Sequence, residues 1–116
     1  MLTERKLSPV RPWIDSPDKE AYFQEDARVI RRQIHIPLIL LGGIRSLEVA
    51  NRLIEEGTAD YISMARPFIW EPGLINRWEA DDRRKAQCLS DNRCIVAARE
   101  GKGIYCHTKL DREKKA

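Results

Sequence analysis

The stretch Leu38–Phe68, LILLGGIRSLEVANRLIEEGTADYISMARPF, decides the fold of this 116-residue chain. It continues an apolar run that covers residues 36–41 and stops at Gly42 and Gly43. A short run that is apolar at almost every position is typical of a parallel strand buried on both faces. Pro37 stands near the start of the run, where a strand tolerates proline. The sequence therefore predicts a strand that ends at the glycine pair.

A helix and a second strand are predicted after the glycine pair. Ser46 is a favourable N-cap, and Gly57 is the residue type that commonly ends a helix. Apolar residues recur between them at helical spacing and predict the inner side of this helix: Leu47, Val49, Ala50, Leu53 and Ile54. The segment ADYISM, residues 59–64, then predicts the second strand.

An earlier helix is predicted from its first residues. Ser16, Pro17 and Asp18 form the pattern of a helix start, with an N-cap, a proline at the first helical position and an acid in the first turn. We expect this helix to cover residues 17–33. Residues 1–15, which precede it, have no regular periodicity and are predicted to form a loop.

The rest of the chain gives weaker signals. Pro72 predicts the start of a shorter helix. Residues 85–106 have the character of a loop, and the chain from His107 onward is interpreted as a polar tail.

The order helix, strand, helix, strand, helix predicts the α/β class with parallel strands, because parallel strands need a helical crossover between them. Two strands do not make a stable sheet alone, and their apolar sequences indicate that both faces need cover. We interpret the chain as the end of a larger α/β domain whose first part is absent. An uncovered apolar strand edge pairs readily with another chain, so a homo-oligomer, most simply a dimer, is expected.

Composition excludes several classes of function. With 42% hydrophobic and 34% charged residues the chain has ordinary globular composition, and a net charge of +3 is too small to indicate nucleic-acid binding. The longest apolar stretch is too short to cross a membrane, and the N-terminal sequence MLTERKLSP lacks the pattern of a secretory signal. Three cysteines, an odd number, fit a reducing compartment. We therefore expect a cytoplasmic protein.

Both strand ends are candidate binding positions, because ligands of α/β folds lie at the carboxyl ends of the strands. Gly42 and Gly43, followed by residues 44–46, make a plausible anion cradle, since glycine allows close approach and a helix N-terminus offers unpaired N–H groups. Arg66 follows the second strand and can add a charge-assisted contact. The alternative is that the glycines only form a tight turn and that Arg66 is a surface residue.

Three segments, KLSPVRPWIDSPDKEAYF, IPLILLGGIRS and ADYISMARPFIWEPGLINRW, resemble the carboxyl-terminal part of the old yellow enzyme family. These proteins are NADH:flavin oxidoreductases with a single FMN-binding (β/α)8 barrel. The resemblance runs from about Lys6 to Cys106. It implies a partial (β/α)8 barrel: the last two βα units, a preceding helix and a cysteine-containing C-terminal extension. The barrel part would occupy residues 1–86, and the cysteine-containing loop and polar tail residues 87–116.

The resemblance also implies a cofactor site. In that family a glycine pair after the seventh strand, and a small residue followed by arginine after the eighth, hold the FMN phosphate. The matching positions here are Gly42, Gly43, Ala65 and Arg66, and Ala65 stands where glycine is frequent. Phe68 matches an aromatic residue near the flavin ring in relatives.

The activity implied by the resemblance is transfer of hydride from NAD(P)H through FMN to an activated alkene or similar small-molecule acceptor. The family's proton donor and substrate-binding residues lie on earlier strands, so no catalytic residue is assigned here. His35 precedes a strand and His107 lies in the polar tail, away from the expected chemistry. We therefore expect this chain alone to be inactive.

The three cysteines, Cys88, Cys94 and Cys106, stand where cluster-bearing relatives carry four cysteine ligands of an iron–sulfur cluster. Asp91 replaces the second ligand. Because such a cluster normally takes four thiolates, free thiols are the expected state. The alternative is a cluster or zinc ion with Asp91 as the fourth ligand.

Two other functions are open. The chain can be a non-catalytic fragment that folds by pairing with itself or with a partner half-barrel. It can also belong to a different phosphate-binding barrel enzyme, since glycine after the seventh strand is a recurrent phosphate-binding device and fold does not fix function.

Overall fold

The computed structural model describes residues 9–116. The first eight residues of the predicted loop, and the start of the family resemblance at Lys6, lie outside the described residues. The elements follow one another in this order: a 3-10 turn Pro17–Lys19, α1 Gln24–Arg31, β1 Ile39–Leu41, α2 Leu47–Glu55, β2 Tyr61–Ser63, α3 Arg66–Trp70, α4 Leu74–Glu79, α5 Arg93–Arg99 and α6 His107–Lys115.

The predicted pair of parallel strands is confirmed. β1 and β2 form a two-stranded parallel sheet in which Leu40 lies opposite Ile62. α2 provides the crossover, as the sequence predicted. Asp60, just before β2, fixes the start of the pair, because its carboxylate accepts a hydrogen bond of 2.8 Å from the Leu38 backbone N–H. Both strands are only three residues long, shorter than the predicted segments.

α2 agrees with its predicted boundaries. The Ser46 hydroxyl accepts a 3.3 Å hydrogen bond from the Val49 backbone N–H, so the predicted N-cap is confirmed. Gly57 follows the helix with φ of 73°, the left-handed conformation that favours glycine. Ile54 was expected on the inner side, but it is 41% exposed. That expectation is wrong, since the core covers only the side of Val49, Ala50 and Leu53.

The helix predicted over residues 17–33 is wrong in its first half. The chain forms one 3-10 turn after Ser16, whose side chain makes no cap hydrogen bond, and the α-helix begins only at Gln24. Between them, Ala21 has φ of 51° and is completely buried. The physical reason is the neighbouring Glu20, whose carboxylate is drawn to the start of α2 by the Ser46 hydroxyl.

The C-terminal region contains more helix than was predicted. The helix expected from Pro72 begins at Leu74, and α3, before it, was not predicted. α5 lies in the segment interpreted as a loop, and α6 in the segment interpreted as a polar tail. α6 has no buried residue, so it offers none of the amphipathic periodicity on which a prediction depends.

Only one face of the sheet is covered. Leu40 is 4% exposed and packs in the main core with residues of α1 and α2, together with Ile62. On the opposite face Ile39 is 63%, Leu41 51% and Tyr61 61% exposed. Residues 9–116 therefore leave one apolar face of the sheet exposed, where the sequence predicted that both faces are buried. Within residues 9–116 no helix is long enough and apolar enough to span a bilayer.

Substitution of Gly43 tests the turn after β1. Gly43 has φ of 75°, and a Cβ atom there would lie 2.5 Å from Tyr22 Cε1. Gly57 has a similar φ of 73° but nothing within 4 Å of such a Cβ, so it isolates the cost of the left-handed backbone. We expect Gly57→Ala to lower the free energy of unfolding by about 1–2 kcal/mol.

For Gly43→Ala we expect a further loss of about 1–3 kcal/mol, because the Tyr22 ring must also move. Urea unfolding followed by circular dichroism measures both variants. Equal destabilisation of the two would show that the contact with Tyr22 has no energetic weight.

Candidate functional site

A cavity of about 270 Å³ lies at the carboxyl ends of both strands. Four of the five predicted cofactor residues line it: Gly42, Gly43, Ala65 and Arg66. The two segments that follow β1 and β2 therefore meet in one place, as parallel strands require. Phe68 does not line this cavity. It packs instead beside Leu74 and Trp78, in a second hydrophobic cluster.

The glycine pair is covered by two aromatic rings. Cβ atoms on Gly42 and Gly43 would lie 2.8 Å from Phe23 Cδ2 and 2.5 Å from Tyr22 Cε1. The Arg11 guanidinium carbon lies 4.5 Å from the centre of the Tyr22 ring, a cation–π contact. The packing of Tyr22 and Phe23 already requires glycine at both positions, so the glycine pair does not by itself indicate an anion site.

Arg45, shortly after this turn, is a charged residue that is buried. The residue is 3% exposed, and its Nη1 donates to the Ile44 carbonyl oxygen at 2.8 Å. Its Nε and Nη2 both donate to the Ser90 hydroxyl oxygen, at 3.1 and 2.9 Å. Burial lowers the pKa of Arg45, and the positive charge of nearby Arg66 lowers that pKa further.

Arg66 is the second buried cation at the cavity. It is 8% exposed and begins α3. Its Nη1 donates to the Arg11 carbonyl oxygen at 2.8 Å and to Asn92 Oδ1 at 2.6 Å. The structure therefore excludes the reading of Arg66 as a plain surface residue.

Neither arginine is in an ion pair within the described residues, although the charge of the Glu20 carboxylate acts on Arg45. Among residues 9–116, Arg45 and Arg66 make no ion pair with a carboxylate, and their acceptors are carbonyl, hydroxyl and amide oxygens. A buried charge is normally paired, because removal from water is costly. Two unpaired buried cations at one cavity make this region attractive to an anion.

The start of α2 is already occupied by a carboxylate. Glu20 is 3% exposed and accepts a 2.9 Å hydrogen bond from the Ser46 hydroxyl, and the backbone N–H groups of Arg45 and Ser46 act to lower the pKa of its carboxyl. The expected cradle over residues 44–46 is therefore filled from within the chain. The part of the site that attracts an anion is therefore the pair of guanidinium groups of Arg45 and Arg66, and not the start of α2.

Sequence reasoning missed four residues that shape the site: Tyr22, Glu20, Ser90 and Asn92. Tyr22 and Glu20 lie in the segment interpreted as a regular helix. Ser90 and Asn92 are 45 and 26 residues from the arginines that they contact. The one available signal was that serine and asparagine occur two residues apart in a segment without periodicity. Both residue types favour turns, in which the backbone leaves regular helix and strand conformations.

The cysteine segment does not form a ligand set in this structure. Asp91, the candidate fourth ligand, accepts hydrogen bonds from the Thr108 hydroxyl and from the Arg93 backbone N–H. In the part of the chain that the structure describes, no group of three or more Cys, His, Asp or Glu side chains is arranged to hold a metal ion. Burial raises the pKa of Cys94 and of Cys106, and the charge of the neighbouring Cys88 raises both further. Free thiols remain the expectation for the three cysteines, because Asp91 stands in place of a fourth thiolate.

Comparisons with known proteins point to flavin oxidoreductases. No protein-family model matches the chain. The chain is 33% identical over 79 residues to the 4,4'-dithiodibutanoate disulfide reductase of Rhodococcus erythropolis, covering 68% of the chain and 19% of that relative. It is 36% identical over 61 residues to the NADH-dependent flavin oxidoreductase iccE of Talaromyces variabilis, covering 52% of the chain and 15% of the relative.

A third relative has a different activity. The imidazole glycerol phosphate synthase subunit HisF of an Exiguobacterium species is 35% identical over 74 residues, covering 64% of the chain and 28% of the relative. The chain thus spans less than a third of the length of each of these three proteins. It is a distant relative of flavin-dependent oxidoreductases and is also similar over part of its sequence to a HisF subunit.

Glu20→Gln tests the electrostatics at the start of α2. Burial raises the pKa of the Glu20 carboxyl, so the folded chain holds this proton more tightly than the unfolded chain. The free energy of unfolding of the wild-type protein therefore falls as the pH rises from the unfolded pKa through the higher folded pKa. Glutamine does not titrate. We expect the variant to gain stability relative to the wild type from roughly pH 4 upward.

Urea unfolding of both proteins between about pH 4 and pH 8 checks this expectation. Glu48→Gln is the matched control, because Glu48 lies in the first turn of the same helix without contacting Glu20 in the structure. A stability difference that is the same at every pH would contradict a raised pKa at Glu20.

Proposed function

We propose that the cavity binds the phosphate group of FMN, as the phosphate end of the cofactor site in an NAD(P)H:flavin oxidoreductase of the old yellow enzyme type. The observation that carries the proposal is the pair of buried guanidiniums of Arg45 and Arg66, which make no ion pair with a carboxylate of residues 9–116. Similarity to an NADH-dependent flavin oxidoreductase supports the choice of a flavin. The proposed contacts come from Gly42, Gly43, Ala65 and Arg66.

The donor set fits a phosphate. Arginine presents several N–H donors in a planar fork that suits phosphate oxygens, and a phosphate can bind the donors that the contacts with Ser90 and Asn92 leave unused. Gly42 and Gly43 present backbone without side chains at the cavity wall. Glu20 is held at the start of α2, where its charge is balanced by N–H groups and a hydroxyl, so its repulsion toward the ligand is reduced.

The size of the cavity limits what this chain contributes. Pockets that enclose whole drug-sized ligands measure about 300–1,000 Å³, more than is available here. The flavin ring would therefore lie outside the cavity, toward protein segments that this chain does not supply. FMN, when bound, would supply the hydride chemistry, and the residues of this chain would anchor it and exclude water from its phosphate. No catalytic residue is assigned, and the chain alone is expected to be inactive.

A second candidate is a different phosphate-binding barrel enzyme. It is favoured by the similarity to a HisF subunit, whose name refers to a glycerol phosphate. The anion site would be the same, and only the rest of the ligand would differ. Binding of simple phosphate esters without any preference for a flavin would support this candidate.

Arg66→Gln tests the proposed phosphate contact. We expect the wild-type chain to bind FMN and to bind riboflavin, which lacks the phosphate, much more weakly. Loss of one buried cation should weaken FMN binding by at least about tenfold. Arg83→Gln is the matched control, since it removes the same charge from a side chain that is 71% exposed.

Quenching of flavin fluorescence during titration with protein gives both affinities. Equal affinity for FMN and riboflavin, or unchanged FMN affinity in Arg66→Gln, would contradict the proposal.

We also propose that the open face of the sheet is covered by a second copy of the chain. Ile36, Ile39, Leu41 and Tyr61 are each more than half exposed, and within residues 9–116 each strand keeps one unpaired edge. Burial of apolar area contributes about 25 cal/mol per Å², so a few hundred Å² is comparable with the stability of a small domain. Such strands pair readily with identical strands.

Ile39→Lys tests this association. We expect the wild-type chain to sediment as a dimer at micromolar concentration, and Ile39→Lys to shift it toward the monomer because a charge cannot be buried in the apolar interface. Ile54→Lys is the control, as Ile54 is exposed on α2 instead. A monomeric wild-type chain with a cooperative melt would overturn the proposed self-association.

A further inference from the structure

We infer that Ser90 and Asn92 are positioning residues of the anion site, which hold the guanidiniums of Arg45 and Arg66 with neutral acceptors and leave their positive charge available to a ligand. This inference rests on the proposed function, because it concerns the same cavity. It extends the site beyond the two strand ends to the cysteine-containing segment.

Asn92 shows the first sign of this role. It is the N-cap residue of α5, a position where asparagine usually bonds a backbone N–H of its own helix. Its side chain makes no such bond here, and the amide oxygen accepts a 2.6 Å hydrogen bond from Arg66 instead. The Asn92 side chain therefore holds Arg66 and does not cap α5.

Ser90 has the same relation to Arg45. It is 1% exposed, and its single hydroxyl oxygen accepts two hydrogen bonds from that guanidinium. Both Ser90 and Asn92 have left-handed backbone, with φ of 56° and 63°. Such conformations are uncommon for residues other than glycine, although asparagine adopts them more readily than serine, and they concentrate at functional sites. These two backbone conformations place the acceptors Ser90 and Asn92 against the buried guanidiniums of Arg45 and Arg66.

The acceptors Ser90 and Asn92 are neutral, although the residue between them in the sequence, Asp91, is an acid. Asp91 has the carboxylate that would pair with an arginine, but it is turned away to Thr108 and to the backbone of Arg93. A carboxylate at position 90 or 92 would form a salt bridge with the guanidinium and cancel the charge that attracts an anion. The arrangement therefore favours ligand binding over the stability of the free chain.

Asn92→Asp gives the decisive test, because it has opposite effects on stability and on binding. Aspartate has nearly the shape of asparagine, also tolerates left-handed backbone and is an equally good N-cap. We expect the variant to melt a few degrees higher than the wild type, since it pairs with Arg66. We expect its affinity for FMN to fall by at least about tenfold. A merely structural asparagine would not give both results.

Two controls separate this effect from other effects of the new charge. Asn51→Asp adds the same charge on the exposed side of α2 and should leave FMN affinity within about twofold. The higher melting temperature of Asn92→Asp should vanish in the Arg66→Gln background, since a double-mutant cycle isolates the coupling of the two side chains. Asn92→Gly keeps the left-handed backbone but removes the acceptor, and it should melt lower than the wild type.

The outcomes are distinguishable. A wild-type chain that binds neither FMN nor inorganic phosphate overturns the proposed function, while the cycle in the free protein still decides whether Asn92 holds an uncompensated Arg66. Stabilisation by Asn92→Asp that persists without Arg66 overturns the inference, and so does unchanged FMN affinity in a wild-type chain that binds FMN. Coupled stabilisation together with lost affinity supports it.

Discussion

The buried side chain of Arg45 joins parts of the chain that are distant in sequence. Its guanidinium is bonded to the Ile44 carbonyl and the Ser90 hydroxyl, while its own carbonyl accepts a 2.7 Å hydrogen bond from the Ala86 N–H. A charged group removed from water needs partners for its donors, so these contacts cannot be loosened without large cost. The turn after β1 and the segment 86–92 are thus held together by one residue.

The placement of charges follows from the same constraint. Glu20, the nearest buried acid, binds the start of α2, and this contact interrupts the chain before α1 and buries Ala21 beside the core. The acid therefore stabilises a helix N-terminus and does not pair with either arginine. Positive charge collects at the ends of the strands, where a parallel sheet places its ligands.

The sequence predicted those elements that each contribute apolar residues to the main core cluster. β1, α2 and β2 carry Leu40, Val49, Leu53 and Ile62 to the same core, so their periodicity is clear. The helix before them was wrong in its first half because a single tertiary contact of Glu20 overrides local preference. α6 has no apolar face to detect.

The candidate site was predictable to the same degree. Gly42 directly follows β1 and Arg66 lies three residues after the end of β2, so the rule that ligands bind at strand ends finds both residues. Ser90 and Asn92 enter the site only through the folded positions of arginines far away in the sequence. No local pattern records such a contact, because residue type can indicate a turn at Ser90 and Asn92 but not which distant arginine each side chain meets.

Leu41 connects the cavity with the uncovered side of the sheet. It is 51% exposed on the open face, and it also lines the cavity beside Gly42. A chain that covers this face therefore closes one side of the cavity and removes water from it. Electrostatic attraction strengthens as water is excluded, so the two guanidiniums would hold an anion more tightly in a covered sheet than in an open one.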